Sequence, residues 1–363
     1  MHHDIPIQFQ DLENKEEECT NKKLFDESII YLQKYLQIAI DTFGFNHHYV
    51  AIAYNLIGIT YDEREQSEKA IEFFQKALEI MLNIFGFNYN FVAHLYFNLG
   101  VPYNKKEQYD KAINCYEKSL KIKLSIFGIN HIDVACCYNN LGSTYHDKKD
   151  YTKAIEYHED ALKIRIQIFG INHEDVAVSY INIGSIYQDK NNHNKAIEYF
   201  EKALKIRLDI LENNHIDVAW SYHSLGVSYE IIGEYDKAIE CYDNALKIRL
   251  STFGTYHEDV SESYTCLGVV YIYTGLYDKA IECHEKAFEI KKKLSNIIDI
   301  TIPALCGLLG LAYEGKGEIK TACKYNEDAW KMNSILEGEW HGATTESKKQ
   351  VKKLSKKIAL NQT

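Results

Sequence analysis

Residues Asn130 to Gly170 read NHIDVACCYNNLGSTYHDKKDYTKAIEYHEDALKIRIQIFG. In the first half, Val134, Ala135, Tyr138, Leu141 and Tyr145 follow spacings of three and four, the period of one helix face. A polar break, Asp147 to Asp150, comes next, after which Tyr151, Ala154, Ile155, His158, Ala161, Leu162, Arg165 and Phe169 resume helical spacing. The stretch is expected to fold as two antiparallel helices, A then B. Sister stretches place Gly233, Gly275 and Gly317 in the break, where a left-handed helix end is wanted, and Asp150 or Asn192 stands where it would cap helix B. Phe-Gly ends helix B. The turn Asn-His-x-Asp (Asn130 to Asp133, Asn172 to Asp175, Asn214 to Asp217) then opens the next helix A, with the asparagine as expected acceptor for a free backbone N–H and the aspartate at the positive end of the dipole.

The pattern repeats along the chain. Glycine recurs at Gly58, Gly100, Gly142, Gly184, Gly226, Gly268 and Gly310, each step 42 residues. Tyr61, Tyr103, Tyr145, Tyr187, Tyr229, Tyr271 and Tyr313 keep that register, as do Ala70, Ala112, Ala154, Ala196, Ala238, Ala280 and Ala322. A period of this size marks a solenoid of stacked units. Glycine in mid-helix costs about 1 kcal/mol relative to alanine, so its recurrence implies that helices A and B approach too closely there for a side chain. The phased alanines are the expected opposite surface, with Leu141, Tyr145, Leu162 and their equivalents filling the gap to the next hairpin.

The glycine, aromatic and alanine columns resemble the tetratricopeptide repeat (TPR), and Ala161 to Tyr187, ALKIRIQIFGINHEDVAVSYINIGSIY, resembles the longer repeats of the kinesin light chain type. The family often has proline after the turn histidine, whereas Ile132, Glu174 and Ile216 stand there. The resemblance implies an all-α fold, a right-handed superhelical α-solenoid of antiparallel helical hairpins, with helix A lining a concave surface. The expected organisation is a degenerate N-terminal capping repeat (1–46), six 42-residue units (47–298), a degenerate seventh unit (299–337) and a lysine-rich C-terminal capping helix (338–363). In the first of these Glu16 occupies the glycine column and Ser28 the alanine column. The closing helix carries Val351, Leu354 and Ile358 on an apolar stripe and Lys348, Lys349, Lys352, Lys353, Lys356 and Lys357 on its polar side. Those lysines form either a solvated face or a contact for an acidic partner or membrane surface.

Composition excludes several functions. The chain of 363 residues carries 41 Lys and Arg against 52 Asp and Glu, a formal charge of -11, which disfavours nucleic acid as a partner. Nine scattered cysteines without a Cys-x-x-Cys pair read as free thiols of a reducing compartment, and no apolar run is long enough to span a membrane, so a cytoplasmic protein is expected. No nucleotide-binding glycine motif, nucleophile elbow or zinc motif occurs, and the repeats consume almost the whole chain; no enzyme, metal or cofactor is expected. His131, His173, His215 and His257 lie one unit apart and read as turn residues. The ladder Lys123, Arg165, Arg207, Arg249 and Lys291 is placed near helix B C-termini, where positive charge suits the dipole.

Function is sought on the helix A positions that vary between units. Offsets of minus six, minus three, minus two, plus one and plus four from each glycine share one face. Over five units they supply the candidate peptide-binding residues Asn55, Phe97, Asn98, Asn139, Asn140, His146, Ile181, Asn182, Trp220 and His223. The asparagines offer donors and acceptors to an extended peptide backbone, and Trp220 beside Ile181 and His223 suits an anchor side chain. The competing reading has Trp220 packed between units and the asparagines bonded to neighbouring helices. A carboxylate clamp is excluded, because these offsets lack the lysines and arginines it needs. Asn139, Asn140 and Asn182 resemble kinesin light chain groove asparagines, but no sustained N-terminal heptad segment is present to join a motor heavy chain. Pro102 removes a backbone bond to Asn98 and is expected to kink helix A of the second unit, as either an exposed tolerated kink or a source of a free carbonyl. The expected function is a non-catalytic scaffold holding a peptide segment of a partner protein. The alternatives are a convex surface or chain end that binds a folded partner or self-associates, and a kinesin light chain-like cargo adaptor without the heavy-chain-binding coiled coil.

Overall fold

The computed structural model describes residues 5–87, 89–294, 299, 301–336, 338 and 341–360, with side chains from residue 9 onward. The expected boundaries at residues 298 and 337 lie outside this set. Seventeen helices and no strand occur among the described residues.

The chain divides into two compact units, 1–171 and 172–363. The first holds α1 (Ile5–Asn21), α2 (Phe25–Phe43), α3 (His48–Glu63), α4 (Ser67–Phe85), α5 (Asn90–Lys105), α6 (Tyr109–Phe127), α7 (Ile132–Asp147) and α8 (Tyr151–Phe169). The second holds α9 (Glu174–Asp189), α10 (His193–Ile210), α11 (Ile216–Ile231), α12 (Tyr235–Phe253), α13 (Glu258–Tyr273), α14 (Tyr277–Leu294), α15 (Thr301–Lys316), α16 (Ile319–Leu336) and α17 (Gly342–Leu360). Within each unit the helices pair as hairpins, odd-numbered A with even-numbered B, and each B packs on the next A. Each unit is thus a helical solenoid, stabilised by contacts between neighbours in sequence.

Local chemistry sets the hairpins. Every A-to-B turn has one residue in left-handed conformation, glycine at Gly233, Gly275 and Gly317, and Lys23, Glu65, Glu107, Lys149 or Asn191 in the others. The next N–H but one from the helix end returns to the tyrosine-column carbonyl, as Gln66 to Tyr61 (2.9 Å) and Asp150 to Tyr145 (2.8 Å), so the carbonyls left over at the helix end are satisfied. Asp150 and Asn192 accept from the backbone N–H of Lys153 and Lys195, capping α8 and α10 as expected. At the B-to-A turns the cap is the histidine rather than the asparagine before it. Nδ1 of His131, His173, His215 and His257 accepts from the N–H of the aspartate two residues on, at 3.2 Å in each case. At two of these turns the preceding phenylalanine stacks on the ring, Phe127 on His131 at 4.0 Å and Phe253 on His257 at 3.9 Å.

The close approach at the glycine column exists, but alanine is not its other side. A Cβ on Gly142 would lie 2.6 Å from a His158 ring carbon, and one on Gly184 would lie 2.7 Å from the Phe200 ring. The same holds for Gly58 on Phe74, Gly100 on Tyr116, Gly226 on Tyr242 and Gly268 on His284. In these six hairpins a ring one helical turn beyond the alanine lies over the glycine, and the fully buried alanines leave room for the backbones to close on it; over Gly310 the side chain is Asn326. The tyrosine column also corrects an expectation. Tyr145 stacks on Tyr157 of its own hairpin (5.4 Å), and the hydroxyls of Tyr103 and Tyr229 reach back to Gln75 and Glu201 of the preceding helix B rather than forward. Pro102 is buried, not exposed, and α5 continues through it; the N–H of Lys106 bonds the Pro102 carbonyl at 3.1 Å.

The ends differ from the middle. Glu16, standing where glycine recurs elsewhere, accepts hydrogen bonds from Ser28 (3.1 Å) and Thr20 (2.8 Å), so a polar contact replaces the ring-on-glycine contact. At the other end Leu354 of α17 is fully buried against Ala322 and Cys323, with Val351 and Ile358 beside it.

Candidate functional site

The helix A face of the first unit gathers the candidate asparagines but occupies several of them. Asn98 donates to the Asn55 side-chain oxygen (2.9 Å) and Asn140 donates to the Cys136 carbonyl of its own helix (2.9 Å). Asn55 is buried. The spacing that puts the amides on one face also brings neighbouring A helices within their reach, so bonding between helices prevails for this pair. Phe97 meets the Tyr116 ring edge-on at 5.5 Å and carries the Lys123 ammonium over its own ring at 4.8 Å. His146 lies beside Tyr151, ring to ring at 5.8 Å. Asn139 sits half-buried on α7. The remaining candidates, Ile181, Asn182, Trp220 and His223, belong to the second unit.

The basic ladder lies near the helix B C-termini, with Arg207 and Lys291 in the last turn, and does more than suit the dipole. Lys123, Arg165, Arg207, Arg249 and Lys291 are all buried, and Arg207, Arg249 and Lys291 tie helices together. Arg207 donates to the Asp217 carbonyl (2.8 Å) and Ser221 hydroxyl (3.1 Å) of the following helix A and to Glu174 of the preceding one (2.6 Å). Arg249 repeats the forward contacts, to the Asp259 carbonyl (3.0 Å) and Ser263 (2.7 Å). Lys291 pairs with Glu258. A cation so enclosed is held by acceptors on the flanking A helices, Arg207 from both sides, Arg249 from the following one and Lys291 by Glu258 of the preceding one.

The second unit opens a pocket of about 560 Å³ on the helix A face. Its apolar walls are Trp220 of α11, Cys266 of α13 and Leu305 and Leu308 of α15, and its polar edge carries Glu258 and Glu262. Trp220 is 44 % exposed. It does not join Ile181, which packs instead against the cluster around Phe200 and Leu225. Trp220 covers the buried Arg249, whose guanidinium carbon lies 5.1 Å from the indole centroid, and the ring meets His223 edge-on at 6.2 Å. Arg249 also pairs with Glu262 (3.2 Å), whose other oxygen lies 3.9 Å from His223 Nε2. Burial holds His223 below the usual imidazole range, against the pull of Glu262. Burial likewise pushes the Cys266 thiol up to about 12, which leaves it a wall rather than a nucleophile.

Glu262, Thr265, Cys266, Ala304 and Leu308, which line this pocket, lie outside the five-unit candidate set. They occupy the same minus six, minus three and minus two offsets from Gly268 and Gly310, so extending the register by two units locates them. The pocket exists because Ala304 stands where the equivalent column of α11 has Trp220.

All nine cysteines are free thiols. Among the described residues no helix is long and apolar enough to cross a membrane, and no group of His, Cys, Asp and Glu is arranged to hold a metal ion.

Comparison with known proteins accords with this architecture. The tetratricopeptide repeat family model matches residues 19–83, 91–167, 133–209, 175–240 and 217–293. No curated protein gives a significant sequence match. Among solved structures, RapI in its apo form aligns over 97% of this chain and 98% of its own, with TM-score 0.66 and 16% identity. A signal transduction ATPase with a tetratricopeptide repeat sensor, from Pyrococcus horikoshii, aligns over 88% of this chain and 45% of its own, with TM-score 0.67 and 20% identity. A kinesin light chain-like repeat protein of Podosopora anserina aligns over 58% of this chain and 99% of its own, with TM-score 0.52 and 20% identity. At these identities the structures speak for the fold, and the family model, matched over most of the length, shows that the chain belongs to the tetratricopeptide repeat family.

Proposed function

We propose that this protein is a non-catalytic cytoplasmic scaffold that holds an extended peptide segment of a partner protein against the helix A face. The observation that carries this reading is the half-exposed Trp220 at the mouth of a largely apolar pocket, on the face that the repeat register singles out. A large aromatic left open beside a concavity is the usual form of an anchor site. The amide pair Asn55 and Asn98 serves the solenoid itself, so recognition centres on the second unit. The buried thiols suit a reducing compartment.

A second reading rests on a different observation. Phe45, Phe87, Ile129 and Ile171, each following a turn glycine in the first unit, are 69 %, 65 %, 59 % and 62 % exposed, and they recur at the repeat interval. Such a ridge fits a folded partner or another copy of the chain. An unbiased peptide-display selection against the full chain and its Trp220→Ala variant separates the two. Peptides enriched on the wild type and lost at least tenfold on a variant of unchanged melting temperature support the groove. Enrichment that survives Trp220→Ala but disappears with Phe87→Ser and Ile129→Ser supports the ridge instead.

A further inference from the structure

At the five face offsets of α11, α13 and α15 the charged residues are Glu230, Glu262 and Glu314, with no lysine or arginine among them. The groups around the pocket are the carboxylates of Glu258, Asp259, Glu262 and Asp299, the cations Arg249 and Lys291, and His223. Each cation is already held from beneath, Arg249 by Glu262 and Lys291 by Glu258 and Asp299. Carboxylate therefore remains in excess at the rim. Glu258 and Glu262 keep 60 % and 45 % of their side chains exposed.

The same face already accepts cations from its own chain. Lys353 and Lys357 of α17 reach Glu314 of α15 at 3.2 and 2.6 Å, and Leu354 between them is fully buried. A second hollow between α15 and α17 is lined by Ala304, Leu308, Leu311 and Gln350, and it shares Ala304 and Leu308 with the Trp220 pocket. The groove thus runs without a break from a site where lysines meet a face glutamate to a site where Glu258 and Glu262, each paired with a buried cation of the chain, keep much of their side chains exposed.

We propose that the pocket bounded by Trp220, Glu262 and Leu308 receives an arginine or lysine side chain of an extended peptide. The aliphatic stem lies along the indole and Leu308, and the cation lies between Glu262 and Glu258. Long cationic side chains bury their stems on apolar surface while the head meets charge, and a cation over an indole gains further from the ring quadrupole. Arg249 shows the indole to be compatible with a guanidinium. This inference rests on the peptide-binding reading above and specifies its ligand.

The probes are pools of N-acetylated nonapeptide amides whose central residue is fixed as Arg, Lys, Gln, Glu or Leu, titrated into the full chain and followed by calorimetry. The Arg and Lys pools are expected to bind at least tenfold more tightly than the Glu pool. Glu262→Gln, which keeps an oxygen for Arg249, is expected to reduce that preference to threefold or less. Thr265→Lys, which adds a cation to the pocket wall, is expected to abolish binding of the basic pools while the Leu pool changes less than threefold; melting temperatures confirm that both variants fold. Pools that bind equally well to the wild type and lose affinity in Trp220→Ala would overturn the basic specificity and leave peptide binding standing. Tighter binding of the Glu pool, or a basic preference that persists in both variants, would also overturn it. An unacetylated Leu pool that matches the Arg pool would assign the cation to a peptide N-terminus, against the side-chain proposal. Absence of binding by every pool would overturn both this inference and the reading beneath it.

Discussion

Two of the rings that cover the glycine column are histidines, and they should make the protein acid-sensitive in a way that single substitutions remove. His158 lies over Gly142 and His284 over Gly268, both buried. Nδ1 of His158 and both ring nitrogens of His284 have no hydrogen-bond partner among the described residues. Burial lowers each imidazole from an ordinary 6.5 to about 4. The folded state thus holds the neutral ring, whereas the unfolded chain takes up a proton near pH 6.5. The sign follows directly: the stability is full above pH 6.5 and is lost as pH falls from 6.5 towards 4. One pKa unit is about 1.4 kcal/mol, so each histidine forfeits about 2 kcal/mol by pH 5 and about 3 kcal/mol by pH 4. Phenylalanine at the equivalent positions Phe74 and Phe200 shows that an apolar ring fits over the glycine. His158→Phe should therefore be no less stable than wild type at pH 7.5, because it also removes an unsatisfied buried nitrogen. At pH 5 it should exceed the wild type by about 2 kcal/mol more than at pH 7.5. Amide hydrogen exchange of α7 and α8 across that range reads the effect locally, which suits a repeat array better than a single melting curve. Parallel pH profiles for variant and wild type would refute the reasoning, since the carboxylate contribution is common to both.

Other outcomes follow from the same contacts. Gly184→Ala would place a Cβ 2.7 to 2.8 Å from two Phe200 ring atoms, and the overpacking cost of about 1 to 3 kcal/mol should exceed the gain in helix propensity; exchange of α9 and α10 should speed up, and adding Phe200→Leu should restore part of the protection. Leu354→Ala should cost about 2 to 5 kcal/mol, felt in α15 to α17, while amide protection in α11 and α12 stays unchanged. Arg207→Met should loosen α10 from α9 by breaking the ion pair to Glu174 and from α11 by removing the bonds to Asp217 and Ser221, at a cost of about 3 kcal/mol, and Glu174→Gln combined with it should add less than the two separately in a double-mutant cycle read by denaturant unfolding.

Much of the fold is legible in the residues because helical spacing and the glycine, tyrosine and alanine columns recur without drift. The partner of the glycine column was harder to see. The ring that covers it changes identity from Phe74 to Tyr116 to His158, so it forms no single-letter column, whereas the alanine beside it does. The burial of the basic ladder is concealed for another reason: a charge every 42 residues reads as surface until Asp217 and Ser221, and likewise Asp259 and Ser263, are seen to supply acceptors ten and fourteen positions later. The face that carries the candidate site was readable from register, but its occupancy was not. Asparagines spaced to meet a peptide are equally spaced to meet each other, and only the geometry shows Asn98 spending its amide on Asn55. The open part of the face lies where small residues follow a large one, Ala304 after Trp220, which is a difference between repeats and so is invisible to their average.

The central claim is that an extended peptide lies on the helix A face of the second unit. Photo-crosslinking tests it most directly, with a photoreactive residue placed at the centre of a display-selected peptide and the linked residues identified by mass spectrometry. Links to Trp220, Glu262 and Leu308 are the expected result. Links confined to the exposed outer positions of helix B, such as Lys247 and Lys286, or to the Phe87 and Ile129 ridge, would contradict it.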